Sequence, residues 1–263
     1  MMDRDIVRFF GKHLVAIDIA FKPTRKFPPK KRFKERIFLS ATLIDLNGVL
    51  FLLTAGHCLE EVREVAESGL EISSSQIIDT FGDQIKVNLP IPFHLNPDSF
   101  LFVHDDEYGL DFGLIPVRPI FEKLLLANGV EILTEERWIK QPQLSFDFFA
   151  VLGLPDEFNK IDHNGTTRHE TTLLFLEEVK KPPADLADKK YERFFGTFED
   201  LGDIKSLKGM SGGPIIGFKR GEKMQYWLVG IQSGCRKHKN LIFGTKISEI
   251  ARFHNNAIAA SAA

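Results

Sequence analysis

Apolar residues recur along this chain in short runs, many alternating with polar ones and separated by clusters of Gly, Pro, Asn and Asp. A period of two between turn residues belongs to half-buried strands. From His13 to Phe21, residues Val15, Ile17, Ile19 and Phe21 share one face. The runs Ile37 to Ile44 and Val49 to Thr54 flank Asp45-Leu46-Asn47-Gly48, and Asn-Gly between two such runs signals a hairpin. Further strands are expected over Gln84 to Val87, Ile91 to Leu95, Ser99 to Val103 and Phe112 to Val117. The second half adds Phe146 to Leu152, Thr171 to Val179, Tyr191 to Thr197, Pro214 to Phe218, Tyr226 to Gln232 and Leu241 to Lys246. Helical patterns are few: Leu59 to Glu67, Phe121 to Ala127 and Ile247 to His254. Many strands and few helices fit closed or nearly closed β structure better than alternating βαβ units. Phe121 to Glu136, with Asn128-Gly129, reads as the crossing between two β units, placed at residues 1–125 and 126–263.

Composition narrows the function classes. A chain of 263 residues can bury a sizeable core, and 24 phenylalanines point to one filled with aromatics. The formal charge of -2 argues against general nucleic-acid binding, which needs a basic excess. No apolar run is long enough to span a bilayer, and the first residues lack the pattern of a signal peptide. With only Cys58 and Cys235, a disulfide framework is not expected, and the reading is cytoplasmic. The histidines show no metal-ligand spacing, so no metal site is expected.

Three segments carry chemistry. Thr54-Ala55-Gly56-His57-Cys58 ends an apolar run, Asp111-Phe112-Gly113-Leu114 opens another, and Gly209-Met210-Ser211-Gly212-Gly213-Pro214 lies late in the chain. A serine between glycines presents its hydroxyl without obstruction. That hydroxyl needs a base to take its proton, and the base needs a carboxylate to fix its tautomer. We assign Ser211 as nucleophile, His57 as general base and then acid, and Asp111 as orienter; Asp105 and Asp106 read as solvated turn residues. The backbone N–H groups of Gly209 and Ser211 form the expected oxyanion hole. The segment also fits the nucleophile elbow of α/β-hydrolases, but no Asp follows Ser211 and too little chain remains for that order.

These segments, in this order, resemble the chymotrypsin-like (trypsin-like) serine proteases. Thr54 to Cys58 is similar to their T-A-A-H-C, Asp111 to Leu114 to D-I-A-L, and Gly209 to Pro214 to G-D-S-G-G-P. Gly230-Ile231-Gln232-Ser233-Gly234 resembles the strand that pairs with the substrate backbone, and Phe243 to Ile247 the entry to a C-terminal helix. The resemblance implies an all-β fold of two six-stranded antiparallel barrels with a C-terminal helix. It further implies a serine endopeptidase acting on protein or peptide substrates through an acyl-enzyme, with no cofactor.

Departures from the family pattern refine this. The acidic residue that normally precedes the nucleophile and pairs with a newly cut N-terminus is Met210 here, so activation by trimming is not expected. Cys58 matches a disulfide cysteine whose partner position holds Leu39, so that bridge cannot form. Both departures resemble intracellular bacterial branches of the family. The same alignment puts Lys205 at the base of the specificity pocket, with Cys235 and Ile242 on its walls. Ile242 stands where a glycine would keep a deep pocket open. An inward Lys205 would favour an acidic substrate side chain, and a shallow pocket for small residues is an equal alternative.

The basic run Arg25 to Arg36 reads as a solvated loop or a docking site for an acidic partner, nucleic acid or anionic lipid, and Arg236 to Lys239 forms a second cluster. The competing class is a latent or non-catalytic module that binds peptides by strand addition or awaits a regulatory protein partner. In the latent form the Gly209-Met210 peptide would be turned away from the oxyanion hole.

Overall fold

The structure is a computed structural model that describes residues 2–24, 35–82, 89–138, 145–161, 167–187, 189–201 and 204–261. The expected strand at 84–87 and the basic residues 25–34 lie outside the described residues.

Helix α1 (Met2–Gly11) precedes a run of strands: β1 (Val15–Pro23), β2 (Arg36–Leu46) and β3 (Val49–Thr54). Helix α2 (Gly56–Glu67) leads to β4 (Leu70–Ile78), β5 (Ile91–Pro92), β6 (Leu101–Asp105) and β7 (Leu110–Pro116). Helix α3 (Pro119–Ala127) begins the crossing to β8 (Phe148–Gly153), the short pair β9 (Lys160–Ile161) and β10 (Thr167–Arg168), β11 (Thr172–Glu178) and β12 (Arg193–Thr197). Then follow β13 (Pro214–Lys219), β14 (Gln225–Arg236), β15 (Leu241–Lys246) and α4 (Ile247–Ser261).

Strands β11-β12-β15-β14-β13-β8 close into an antiparallel barrel, as expected for the second half. The first half differs: among the described residues it is a seven-stranded sheet, β5-β4-β1-β2-β3-β7-β6, whose edge strands β5 and β6 do not pair. The additional strand is β4, whose Ser73-Ser74-Ser75 resembles a turn in composition but pairs along β1. Strand β5 spans two residues, and one of them is Pro92, which has no N–H to extend the ladder. Together the closed barrel, the seven-stranded sheet and the C-terminal helix match a trypsin-like double-barrel fold.

The predicted hairpin forms between β2 and β3, with Asn47 at φ 54° and Gly48 at φ 79°. Both central residues need a positive φ for the strands to keep their twist, which is why Asn-Gly serves there. One apolar cluster fills the first sheet under α2, and a second, including Val151, Phe194, Met210 and Ile242, fills the barrel. A third joins Leu53 and Phe112 of the sheet to Leu228 and Ile231 of the barrel and Ile250 of α4. This seam is where the site lies. Helix α1 crosses to the barrel, where Phe10 packs with Ile216, Phe218 and Tyr226.

Candidate active site

Helix α2 carries His57 in its first turn, directly after buried β3. The start of a helix leaves backbone N–H groups without helical partners, and Ala55 supplies no side-chain cap. Asp111, at the start of β7, fills that role: its Oδ1 accepts the His57 backbone N–H at 2.9 Å, and its Oδ2 lies 2.6 Å from His57 Nδ1. One carboxylate therefore fixes both the backbone and the ring of the histidine. With Nδ1 donating to Asp111, Nε2 is left as the atom that can accept a proton. Position 56 admits only glycine, because a Cβ there would lie 2.1 Å from the Val103 carbonyl oxygen.

Asp111 is anchored from the other unit. Its backbone N–H donates to Thr245 Oγ1 at 3.0 Å, and that hydroxyl donates back to the Asp111 carbonyl at 2.9 Å. Ser233 Oγ contacts the same carbonyl at 3.3 Å. Burial disfavours the charged imidazolium, but the Asp111 hydrogen bond and the adjacent Cys58 sulfur outweigh it. The His57 pKa is raised well above the usual imidazole range.

The serine turn lies across the seam. Gly212, at φ 88°, fits so closely that a Cβ would fall 2.2 Å from Thr54 Oγ1 and 2.3 Å from the Ser40 carbonyl oxygen. Its N–H donates to Gln232 O, while Gly213 O accepts from Gln232 N. Ser211 is half-buried. Cys58 Sγ lies between the histidine and the serine backbone, 3.5 Å from His57 Nε2 and 4.0 Å from Ser211 O. Among the described residues Ser211 Oγ has no hydrogen-bond partner, so no bond joins it to His57 in the resting arrangement. Catalytic hydrogen bonds are often loose without substrate.

The peptides before Ser211 are tied at some of their polar groups and not at others. The Lys208 carbonyl accepts from Asp156 N at 2.7 Å, and the two ends of a trans peptide point in opposite directions, so Gly209 N–H faces away from that contact. The Gly209 carbonyl accepts from Ser40 Oγ at 2.8 Å, and Met210 N–H donates to Leu207 O. Among the described residues the N–H groups of Gly209 and Ser211 have no partner. Two unpartnered donors flanking a tied one are chemically suited to hold an oxyanion.

A cleft of about 520 Å³ opens beside His57 and Asp111, lined in part by Ser233, Gly234 and Cys235. Of the proposed substrate strand only these three reach it. Ile231 is a fully buried core residue, and Gln232 is buried with its backbone already paired to Gly212 and Gly213. Lys205 does not form the base of a pocket: it is exposed, its N–H donates to Glu157, and its carbonyl accepts from Lys237. Ile242 is fully buried with Met210 in the barrel core rather than on an open wall, and Cys235 packs partly against the same cluster. Alternation along β15 turns Ile242 inward and Phe243 towards the cleft. His104 also lines the cleft; its ring centroid is 5.7 Å from that of His57 and its Nδ1 meets Glu60. Both cysteines are free. Among the described residues no group of His, Cys, Asp and Glu could hold a metal ion, and no helix is long and apolar enough to cross a membrane.

No protein-family model matches the chain, and no curated protein matches it in sequence. Solved structures match it in fold. A scabies mite inactivated protease paralogue, S-I1, is 14% identical, covers 97% of each chain and has a TM-score of 0.54. The structure titled GrC is 15% identical over 94% of each chain, with a TM-score of 0.51. A thermostable serine protease, AL20, from an extremophilic microorganism is 12% identical over 94% of this chain and 97% of its own, with a TM-score of 0.50. At such identities the likeness carries the fold, and the chemistry rests on the residues themselves.

Proposed function

We propose that the protein is a serine endopeptidase of the cytoplasm, with Ser211, His57 and Asp111 as its triad. The observation that carries this reading is the pair of N–H groups at Gly209 and Ser211, unpartnered among the described residues, together with a histidine whose Nδ1 is tied to Asp111. In the first step Ser211 Oγ attacks the scissile carbonyl while His57 Nε2 takes its proton, and the two N–H groups receive the oxyanion. His57 then hands that proton to the leaving amine, giving the acyl-enzyme. Water attacks the ester with His57 again as base, and Ser211 regains its hydrogen. Cys58 does not replace Ser211 as nucleophile in this scheme, because it is buried beneath the histidine. Two free thiols support a reducing compartment.

A second reading is a latent or non-catalytic module. The missing Ser211 Oγ contact and the Cys58 thiol at Nε2 favour it, and the fold also serves a paralogue described as inactivated. Intact-mass labelling with a fluorophosphonate separates the two. A single adduct, lost in Ser211→Ala and much slowed in His57→Ala, is expected of the peptidase. A folded wild-type protein that takes no adduct would overturn constitutive activity.

A further inference from the structure

A strongly apolar recess lies away from the candidate active site. It is a groove of about 1080 Å³ between α1 and the outer face of the barrel. Its floor is aromatic: Phe148 and Phe218 stack at 4.6 Å, and Phe10 meets Phe218 and Tyr226 edge-on at 5.1 Å. Phe9, Phe175 and Met224 stand along it 44%, 46% and 52% exposed. Side chains of this kind facing water over a continuous surface mark an interaction site.

The rim says what kind. Asp5, Glu177 and Glu199 border the groove and form no ion pair among the described residues, while the nearby cations are engaged: Arg220 lies over the Phe148 ring, Arg137 over Tyr226, and Lys12 over Phe9 with its ammonium paired to Glu131. Carboxylates around an aromatic floor repel an anionic amphiphile such as a fatty acid. They would also face one another in a symmetric contact between two copies of this chain. A segment with apolar residues along one helical face and Lys or Arg beside them satisfies both floor and rim. We infer that this groove docks a basic amphipathic helical segment of a protein partner. The inference does not depend on the peptidase reading.

The probe is a fluorescein-labelled 18-residue Leu/Lys peptide patterned as an amphipathic helix, titrated by anisotropy into the full chain, with its Leu/Glu counterpart alongside. Saturable one-to-one binding of the Leu/Lys peptide is expected, with at least tenfold weaker binding of the Leu/Glu peptide. Phe175→Ser/Met224→Ser and Glu177→Lys/Glu199→Lys should each weaken the Leu/Lys peptide at least tenfold, with circular dichroism and melting as checks on folding. These positions are exposed, and Phe9→Ser provides the same test should either double variant melt early. Equal binding of both peptides, or unchanged affinity in folded variants, would overturn the inference. So would a dimer by light scattering that Phe175→Ser/Met224→Ser dissociates, which would give the face to a second copy. Saturable uptake of a neutral alkyl maltoside that is tighter than the peptide and indifferent to the rim reversal would assign a small apolar ligand instead.

Discussion

Ser40 offers the sharpest test of how the oxyanion turn is held. It is fully buried on β2, its Oγ donates to the Gly209 carbonyl at 2.8 Å, and the same oxygen accepts Leu154 N–H at 3.2 Å. Ser40→Ala removes both bonds and leaves a partly buried carbonyl and a buried amide without partners. Each bond contributes roughly 1 kcal/mol net, and the stranded groups bring the total to about 2–3 kcal/mol. At about 1.4 kcal/mol per factor of ten, a turn loosened by this amount should be labelled by fluorophosphonate about 30- to 140-fold more slowly. The melting temperature should fall by roughly 5–10 °C. Thr42→Val is the control: Thr42 is equally buried on the same strand, but its hydroxyl bonds the His13 carbonyl, away from the turn. Its melting temperature should fall while its labelling rate, measured well below that temperature, stays at the wild-type value. Ser40→Ala that labels normally despite lost stability would refute the reasoning, as would equal loss of labelling in Thr42→Val.

Three further outcomes are expected. Because the His57 pKa is raised and only neutral Nε2 can take the serine proton, the labelling rate should climb into the alkaline range. Its midpoint should lie above the ordinary value of about 6.5, and Cys58→Ala should move it down in a pH-rate profile. His13 is buried against Tyr226 and the Glu131 carbonyl, and burial lowers its pKa to about 4. The unfolded chain therefore binds this proton first. The His13 contribution is full above about pH 6.5 and falls by about 3 kcal/mol as pH drops towards 4; burial lowers His169 to about 4 as well, so His13→Gln should remove only its own share of the acid slope in urea titrations. Gly212→Ala combines a φ of 88° with overlap on Thr54 and Ser40, and urea titration should find it destabilised by more than about 3 kcal/mol.

Local rules made much of this legible in advance. The Asn47-Gly48 hairpin was readable because only a few residues accept two successive positive φ angles, and the three chemical segments were readable because each sits at the end or start of an apolar run. Strand β4 was missed because three serines look like a turn unless a neighbouring strand supplies their ladder. Helix α1 was missed because its apolar residues have meaning only against the distant barrel face that Phe10 covers. The supports of the site had no local signature at all. Ser40 reaches Gly209 across 169 positions and Thr245 reaches Asp111 across 134, and a hydroxyl that holds a remote backbone looks like any other Ser or Thr in a strand. The specificity residues failed for a related reason. Whether Ile242 points into a pocket depends on side-chain direction, which the barrel core decides, while Lys205 sits exposed on a backbone held by Glu157 and Lys237.

Met210 then takes on a definite meaning. In the resembling family the residue before the nucleophile is acidic and is held by a charged terminus. Here it is fully buried in an apolar cluster, and its Cβ, Cα and Cγ lie so near Gly153 that a methyl group there would clash. The peptides on either side are tied by Asp156 to the Lys208 carbonyl, by Ser40 to the Gly209 carbonyl and by Leu207 to Met210 N–H. Each of these contacts comes from the folded core and needs no charge created by cleavage. The Gly209-Met210 peptide is fixed at both ends, and the donors of Gly209 and Ser211 face away from these ties. A latent state made by turning that peptide would have to break the Ser40 and Leu207 bonds and draw Met210 out of the core. The latent reading therefore puts its block at His57 and Cys58, where the sulfur meets Nε2. A regulator of this protein would then act on the approach of the serine hydroxyl to His57 and leave the oxyanion turn as it is.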